Sequence, residues 1–273
     1  MSDISGNKPG PWPRAQWGIV LGSGLGNCCK DWELLCRLSF QEAGLQKPSV
    51  SGHQGLLEWR RGPENIVVVF ARGRLHSYEG HGVDAVCQLV DFFADIQVPR
   101  CLITCAAGGV APTLNAGDLV FVNRILFLNR PECWREIANH LERSDWHSTL
   151  AGSHPAFHLL LEKNWAGKAH GSVVSGLHAQ MTGPNYETRA EIRMLSRLGV
   201  STVGMSTGVE LRRAQFRGLI SGALAVVANP ATGLCDGPIT HGEVLMTMEK
   251  AAQNLERLIF HLVLETNSFQ VDQ

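Results

Sequence analysis

The chain has 273 residues, 44% of them apolar, which is enough for one α/β domain with a sizeable buried core. Its formal net charge is -1 and no block of like charges occurs, so neither nucleic acid nor a membrane surface is expected as the main partner. No apolar run reaches the roughly 18 residues that a membrane span requires, and the polar, Pro- and Gly-rich residues 1–14 lack the apolar centre of a signal peptide. The sequence therefore predicts a cytoplasmic protein with a mobile N-terminal arm at 1–14.

Eight cysteines are scattered along the chain, and no two of them are spaced as C-x-x-C. This spacing supports neither a zinc site nor a thioredoxin-type motif, and no metal site is expected. We expect reduced thiols that pack as small apolar groups.

A short apolar run at 17–21 predicts a buried strand, which leads into the glycine-rich segment 22–26 with the sequence GSGLG. Glycines after a strand allow backbone amides to approach a phosphate, and Ser23 adds a hydroxyl donor. The segment is not a Walker loop, because no Gly-Lys-Ser/Thr follows, and it is a poor dinucleotide fingerprint. From these residues alone, a plain tight turn is an equally good interpretation.

The stretch 27–50 has an amphipathic pattern that predicts a partly helical segment. The segment 51–55, with the sequence SGHQG, follows it and precedes two predicted strands at 56–60 and 66–71, which a turn connects. A lone histidine such as His53 is more often a surface or loop-bonding residue than a functional one.

The second of these strands runs into 72–80, with the sequence RGRLHSYEG. Strand alternation would place Arg74, His76 and Tyr78 on one side of the chain. A guanidinium beside an imidazole and a phenol suggests a site for an oxyanion. The alternative is an exposed edge strand.

The next elements alternate between helix and strand. A helical pattern at 83–96 precedes a strand at 100–104 and the small residues of 105–109, CAAGG, which allow a ligand to lie close to the backbone. A turn and a strand follow at 115–122. Residues 123–170 carry no strong motif, and a further strand is predicted at 172–181.

The stretch 181–210 is the most informative part of the sequence. A tight turn at 183–185 precedes Glu187, and two capping boxes, at 188–191 and 207–210, predict the starts of two helices. A short strand is predicted at 200–203. The unit presents a carboxylate at Glu187 and a hydroxyl at Ser206, just before a helix N-terminus that favours anions.

An apolar strand at 220–228 ends at Asn229, a position where asparagine is also a common turn former. A third capping box at 240–243 opens a long amphipathic helix. Its predicted buried stripe consists of Val244, Met248, Ala251, Leu255, Leu258 and Leu262.

Five of these segments, in order along the chain, resemble the motifs of the trimeric purine nucleoside phosphorylases: 22–26, 51–55, 73–80, 182–210 and 229–245. The resemblance implies a single catalytic α/β domain over 15–273, with a central mixed, partly barrel-like β-sheet flanked by helices. It also implies a homotrimer that acts in purine salvage.

The resemblance further implies a site for phosphate, ribose and purine. Phosphate would be bound by Ser23, His53, Arg74, His76, the amide of Ala106, and Ser206, and ribose by Tyr78, Met205 and His241. The base would be bound by Tyr186, Glu187 and Asn229, and the catalytic residues would be Asn229, Glu187 and His76.

The implied reaction is reversible phosphorolysis of a purine (deoxy)ribonucleoside to the free base and (deoxy)ribose 1-phosphate. The substrates are the nucleoside and orthophosphate, and no metal or organic cofactor is expected. A carboxylate at Glu187 can accept from the N1–H of a 6-oxopurine but not from the bare N1 of adenine, so inosine and guanosine are the expected nucleosides.

Two departures from the family pattern leave alternatives open. Cys105 stands where the family usually has Asn, which removes hydrogen-bonding capacity and predicts a looser loop. Within the diverged segment 123–170, Phe157 is a candidate for the aromatic residue that reaches a neighbouring subunit. The alternatives are a phosphorylase of the same fold with shifted specificity, for example for xanthosine, and a nucleoside-binding homologue with little turnover.

Overall fold

The computed structural model describes residues 12–50, 52–128, 152–157, 173–234 and 241–265, with side chains of 241–246 excepted. The capping box predicted at 240–243 and the arm residues 1–11 lie outside this description. No helix among the described residues is long and apolar enough to cross a membrane.

In the described part of the chain, nine strands form one mixed sheet in the order β2-β3-β4-β1-β5-β8-β7-β6-β9. Their bounds are β1 Trp17–Leu21, β2 Glu33–Ser39, β3 Leu56–Arg61, β4 Val67–Arg72, β5 Arg100–Gly109, β6 Leu119–Phe127, β7 Val173–Gln180, β8 Thr202–Gly204 and β9 Ile220–Pro230. The last strand in this order, β9, also pairs in parallel with β5, so five of the strands close into a ring. The predicted mixed and partly barrel-like α/β fold is confirmed.

Helices cover both faces of the sheet. The described helices are α1 Val83–Asp95, α2 Arg189–Arg197, α3 Gly208–Phe216 and α4 His241–Glu265. Successive residues of β1 pack in two different core clusters, one on each face of the sheet. Ile19 packs in the cluster that contains α4, and Val20 packs in the cluster that contains α1 and α3. The predicted stripe of α4 is buried from Met248 to Leu262, whereas the side chain of Val244 is outside the description.

The partly helical segment predicted within 27–50 is wrong. Glu33–Ser39 forms β2, which pairs antiparallel with β3 at one end of the sheet. A short stretch of apolar and polar residues fits both the helix period and the strand period. Here the hydrogen bonds to β3 favour the strand.

The chain path at 72–80 also differs from the prediction. Strand β4 ends at Arg72, and Ser77–Glu79 forms a 3-10 turn. Gly73 adopts a φ of 108°, which breaks the alternation on which the common side of Arg74, His76 and Tyr78 was based. His76 and Tyr78 do share a side, with stacked rings, but the guanidinium of Arg74 points into the protein.

Two aromatic residues lie where the sequence did not predict them. Phe157 is 1% exposed and packs edge-on against Trp17 in the core of its own chain, so it is not placed to reach a neighbouring subunit. Trp12 stacks on Trp59 at 5.7 Å between ring centroids. The packed part of the chain therefore includes Trp12, inside the predicted arm.

All six cysteines in the described residues are free, and five of them are buried. For these residues the prediction of reduced, packed thiols is confirmed.

Candidate active site

The predicted site residues gather at one edge of the sheet. Strands β4, β1, β5 and β9 run parallel to their neighbours in that order, so their carboxyl ends point the same way. Ser23 follows β1, Arg74 and His76 follow β4, and Asn229 lies near the end of β9. This edge is where ligands bind in open α/β sheets.

Ser23 and His53 form a hydrogen-bonded pair. The hydroxyl oxygen of Ser23 lies 3.0 Å from Nε2 of His53. The other ring nitrogen lies 3.0 Å from the backbone N–H of Arg74 and 2.8 Å from its carbonyl oxygen. Burial lowers the pKa of His53, so the ring is neutral at neutral pH, and its tautomer decides whether Nε2 donates to the Ser23 hydroxyl or accepts from it.

Gly73 allows this arrangement. A Cβ atom at Gly73 would lie 2.7 Å from the Cβ of His53, and its φ is in the left-handed region. A larger residue would therefore push the His53 loop away from Ser23.

Arg74 is almost completely buried, with 1% of its side chain exposed. Its Nη1 donates to Glu210 at 2.7 Å and to the hydroxyl of Thr207 at 3.3 Å, and its Nη2 donates to the carbonyl of Thr104. Its Nε has no hydrogen-bond partner among the described residues. Burial raises the pKa of Glu210, although Arg74 acts in the opposite direction. Arg74 therefore supports the turn at Thr207 directly.

His76 is oriented by Glu79, a residue that the sequence analysis did not assign. Burial would raise the pKa of Glu79, but hydrogen bonds from Ser49 and His76 outweigh it and lower the pKa to about 2. The carboxylate can only accept, and it lies 3.1 Å from Nδ1 of His76, so Nδ1 carries the proton. Burial and the nearby Arg74 lower the pKa of His76 to about 4, so Nε2 of the neutral ring is an acceptor at neutral pH.

Three aromatic rings connect the anion side of the site to the turn at Gly183. The His53 and His76 ring centroids are 5.1 Å apart, and those of His76 and Tyr78 are 4.8 Å apart. A Cβ atom at Gly183 would lie 2.9 Å from Cδ1 of Tyr78 and would also meet the sulfur of Met205. The structure thus brings Tyr78 and Met205 together against this turn.

Glu187 lies just after that turn and is 8% exposed. Burial raises its pKa, and no ion pair to it occurs among the described residues. A buried carboxylate without a cation is costly unless something donates to it. The neighbouring Tyr186, by contrast, is 83% exposed.

Asn229 is half-buried, and its side-chain N–H donates to the carbonyl of Pro230 at 2.7 Å. The amide nitrogen has two N–H groups, so this bond leaves one for a ligand. Asn229 pairs with Gly108 in the β5–β9 ladder, two residues beyond Ala106. Farther along the loop, Gly233 packs against Arg189, two residues after Glu187.

Ser206 lies between β8 and α3 and is partly exposed. The next residue, Thr207, donates its backbone N–H to Glu210 at 3.0 Å, as the predicted capping box requires. Burial raises the pKa of the Cys105 thiol, and the nearby side chain of Thr207 acts in the opposite direction. The segment 105–109, for which the sequence predicted a looser loop, is part of strand β5.

His178 and Gln180 of β7 support the loop that contains Ser206 and were also missed by the sequence analysis. Gln180 accepts a hydrogen bond from the N–H of Val209 at 3.0 Å, in the first turn of α3. His178 lies 3.0 Å from the hydroxyl of Thr202, and burial lowers its pKa to about 4. Neither residue belongs to a recognisable motif, so only its position across the sheet could have indicated its role.

The structure brings together the hydroxyl of Ser23 and the neutral imidazoles of His53 and His76, which are groups that can hydrogen-bond to a small anion. Glu187 and Asn229 offer an acceptor and a donor. The side chain of His241 lies outside the description, although its backbone begins α4.

Comparison with known proteins shows which proteins the chain is similar to. A family model described as the phosphorylase superfamily matches residues 18–264. The chain is 30% identical over 263 residues to purine nucleoside phosphorylase 1 of Geobacillus stearothermophilus, and the aligned residues cover 91% of this chain and 90% of that protein. It is 32% identical over 254 residues to the purine nucleoside phosphorylase of Mycobacterium leprae, covering 90% of this chain and 87% of that protein. A probable 6-oxopurine nucleoside phosphorylase of Moorella thermoacetica is 32% identical over 169 residues, covering 62% of this chain and 65% of that protein.

Proposed function

The chain belongs to the phosphorylase superfamily, and we propose that it is a purine nucleoside phosphorylase that converts inosine or guanosine and orthophosphate to the free base and ribose 1-phosphate. The observation that carries the proposal is the linked arrangement of Ser23, His53, His76 and Tyr78, which touches the turn just before Glu187. An anion site, an aromatic surface and a carboxylate in this order match the three parts of the reacting complex.

The chemistry requires charge stabilisation at two ends of one bond. When the C1′–N9 bond breaks, its electron pair goes to the purine and C1′ becomes positively charged. A phosphate oxygen then forms the new bond to C1′, and the proton that hydrogen phosphate loses balances the one that the purine anion takes up after it leaves. Catalysis rests on stabilising both charges without a covalent enzyme intermediate.

Phosphate would lie against Ser23, His76, the amide of Ala106 and Ser206, with Arg74 supplying positive charge from below. Because Glu79 fixes the His76 proton on Nδ1, Nε2 accepts from a protonated phosphate oxygen. Ribose would lie against Tyr78 and Met205, with His241 at its far end.

The purine would lie between Glu187 and Asn229. Asn229 donates to N7 or O6 as negative charge accumulates on the base, and Glu187 accepts from N1–H. Tyr186 closes over the ring. The name of the Moorella thermoacetica relative supports this preference for 6-oxopurines.

The test is phosphate-dependent release of hypoxanthine from inosine by the parent and by Glu187→Ala and Asn229→Ala. Loss of one charge-stabilising contact in a dry site typically costs about 100-fold or more in rate, so kcat/KM should fall by at least that factor in each variant. Glu33→Ala, an exposed carboxylate on β2, is the matched control and should turn over like the parent.

Other outcomes would redirect the proposal. Turnover of xanthosine in preference to inosine would indicate shifted base specificity. Retained guanine binding without turnover of any of these nucleosides would contradict the enzyme and support a nucleoside-binding homologue.

Two accompanying features belong to the same proposal. The reaction needs no metal or organic cofactor, so dialysis against EDTA should leave activity unchanged. The protein assembles as a homotrimer, which light scattering of the purified protein tests directly.

A further inference from the structure

A cluster of buried charges lies under the Ser23 loop and takes no part in the proposed chemistry. The carboxylate of Glu58 in β3 accepts from Nε of Arg60 at 2.8 Å and from Nε of Arg72 at 2.6 Å. The side chains of Glu58 and Arg72 are 1% and 0% exposed. Burial would raise the pKa of Glu58, but the hydrogen bonds from Arg60 and Arg72 outweigh it and lower the pKa to about 2.

A buried ion pair seldom stabilises a core more than apolar side chains would. An apolar group of the same volume is often equally stabilising or better, so an ion pair at this position calls for a reason beyond packing. The reason lies in what the remaining guanidinium nitrogens bind.

Arg72 reaches the chain that leaves the Ser23 loop. Its Nη1 donates to the carbonyl of Gly26 at 2.6 Å and to that of Cys28 at 3.1 Å. Arg60 continues the same pattern, with Nη1 donating to the carbonyl of Trp32 at 2.6 Å. The chain that follows Ser23 is therefore held by Arg72 at Gly26 and Cys28, and by Arg60 farther along at Trp32.

The backbone of Arg72 reaches the other half of the anion site. Its carbonyl accepts from the N–H of Gly55 at 3.0 Å, which fixes the segment that carries His53. Arg72 is also the ladder partner of Leu21, two residues before Ser23. One residue thus contacts the chain before Ser23, the chain after Ser23 and the chain after His53.

Other charges flank the cluster. Glu58 also pairs with the half-exposed Arg37, and the carboxylate of Glu256 accepts from the backbone N–H of Cys29 at 2.6 Å. Two carboxylates therefore lie near the two buried guanidinium groups, so the cluster acts on this segment through its hydrogen bonds rather than through a net charge.

We propose that Arg72, oriented by Glu58, is a positioning residue that sets the Ser23–His53 pair for binding phosphate. The inference rests on the proposed function for its substrate. It adds that phosphate binding requires Arg72, a residue outside the predicted site. A residue that served stability alone would change the melting temperature without changing phosphate affinity relative to nucleoside affinity.

The experiment compares Arg72→Met and Glu58→Gln with the parent, varying phosphate and inosine separately. Arg72→Met keeps the length of the side chain but removes its charge and its donors. Losing buried hydrogen bonds of this kind should raise the phosphate KM about tenfold, with the inosine KM changed less than about twofold. Arg61→Met is the matched control, because Arg61 is a neighbouring arginine of β3 whose ion pair with Glu33 is exposed.

Equal rises in both KM values, or an unchanged phosphate KM in a folded variant, would overturn the proposal. If Arg72→Met does not fold, Glu58→Gln decides, since it retains the arginine and should show the same selective rise in a smaller degree. An unchanged phosphate KM in Glu58→Gln would then contradict the positioning role.

A second measurement separates this inference from the proposed function. The melting temperature of each protein is followed with added orthophosphate and no nucleoside. A phosphate-induced rise in the parent that is diminished in the variants supports the positioning role even if the parent shows no phosphorolysis. Equal shifts in parent and variants contradict it even if phosphorolysis is present.

Discussion

Thr207 has a φ of 87°, an unusual conformation for a β-branched residue. Such a conformation costs of order 1–3 kcal/mol and persists only where surrounding contacts impose it. Here Arg74 and Glu210 provide those contacts, because both bond Thr207 and each other. The strained residue follows Ser206 directly, so the turn that presents the predicted phosphate-binding hydroxyl is fixed in one conformation.

The raised pKa of Glu187 predicts the acid side of the pH profile. A protonated carboxyl cannot accept from the N1–H of the base, so kcat/KM for inosine should fall as pH decreases through this pKa. Because burial raises the pKa, the fall should begin at a higher pH than for an ordinary glutamate. Steady-state kinetics across the acid range measures this, and a profile flat down to pH values below the usual glutamate range would contradict it.

The same shift predicts a gain in stability when the charge is removed. A carboxyl whose pKa is raised on folding stabilises the protein when protonated, and that contribution is lost as pH rises through the folded pKa. Glu187→Gln should therefore melt higher than the parent at neutral pH, and the difference should vanish in acid. Thermal melts at both pH values check this, and a lower melting temperature at neutral pH would contradict it. Stability gained at the expense of activity is common at binding sites.

The two described capping boxes have the same sequence logic but different surroundings. In α2, Thr188 and Glu191 bond each other on the surface. In α3, Glu210 is fully buried and its carboxylate also binds Arg74. The motif predicts a helix start in both places, but in α3 its glutamate also holds Arg74.

Alanine substitutions at the two caps should separate these roles. Thr188→Ala should lower the free energy of unfolding by about 1 kcal/mol, the usual value for an N-cap, with the phosphate KM unchanged. Thr207→Ala removes the hydroxyl that accepts from Arg74, and it should raise the phosphate KM as well as lower stability. Urea unfolding and steady-state kinetics on both variants provide the comparison, and an unchanged phosphate KM in Thr207→Ala would show that the turn is only a cap.

Most elements were predicted from sequence where a strong pattern was present. The run at 17–21 forms β1, and the helical pattern at 83–96 corresponds to α1. The prediction for 27–50 failed because its short pattern suits both helix and strand, and pairing with β3 favours the strand. The predicted ends of β5 and β6 come too early in the chain, because ladder partners extend strands through residues with little strand preference of their own.

Stability of the whole molecule should depend on pH through the carboxylates buried beside arginine or histidine. The pKa values of Glu58 and Glu79 are both lowered to about 2. Their contribution is fully present above the unfolded pKa of an ordinary glutamate and is lost as pH falls toward about 2. Urea unfolding between neutral pH and pH 3 should show decreasing stability.

Glu58→Gln is the internal control for this dependence. The variant should lose less stability between neutral and acid pH than the parent, because one of the linked groups is absent. An identical pH dependence in parent and variant would show that Glu58 does not contribute.

The sequence by itself determined the fold class, the phosphorylase family and the identity of most candidate site residues. The family and the site residues followed from the resemblance of five motif segments to the purine nucleoside phosphorylases, whereas strand patterns, glycine turns and capping boxes are local and predicted the elements that carry those motifs. Ser23 and His53 were both singled out from short segments that are uninformative alone.

Only the tertiary structure decided which side chains support these residues and in what protonation state. Glu79 and Glu210 belong to the quoted motifs, but their partners His76 and Arg74 are specified by geometry. Arg72 has no motif of its own, and its importance comes from contacts with three chain segments that only the sheet brings together. Burial and hydrogen bonding, which set pKa values and the positions of buried charges, depend on atoms distant in sequence, and local pattern therefore cannot specify them.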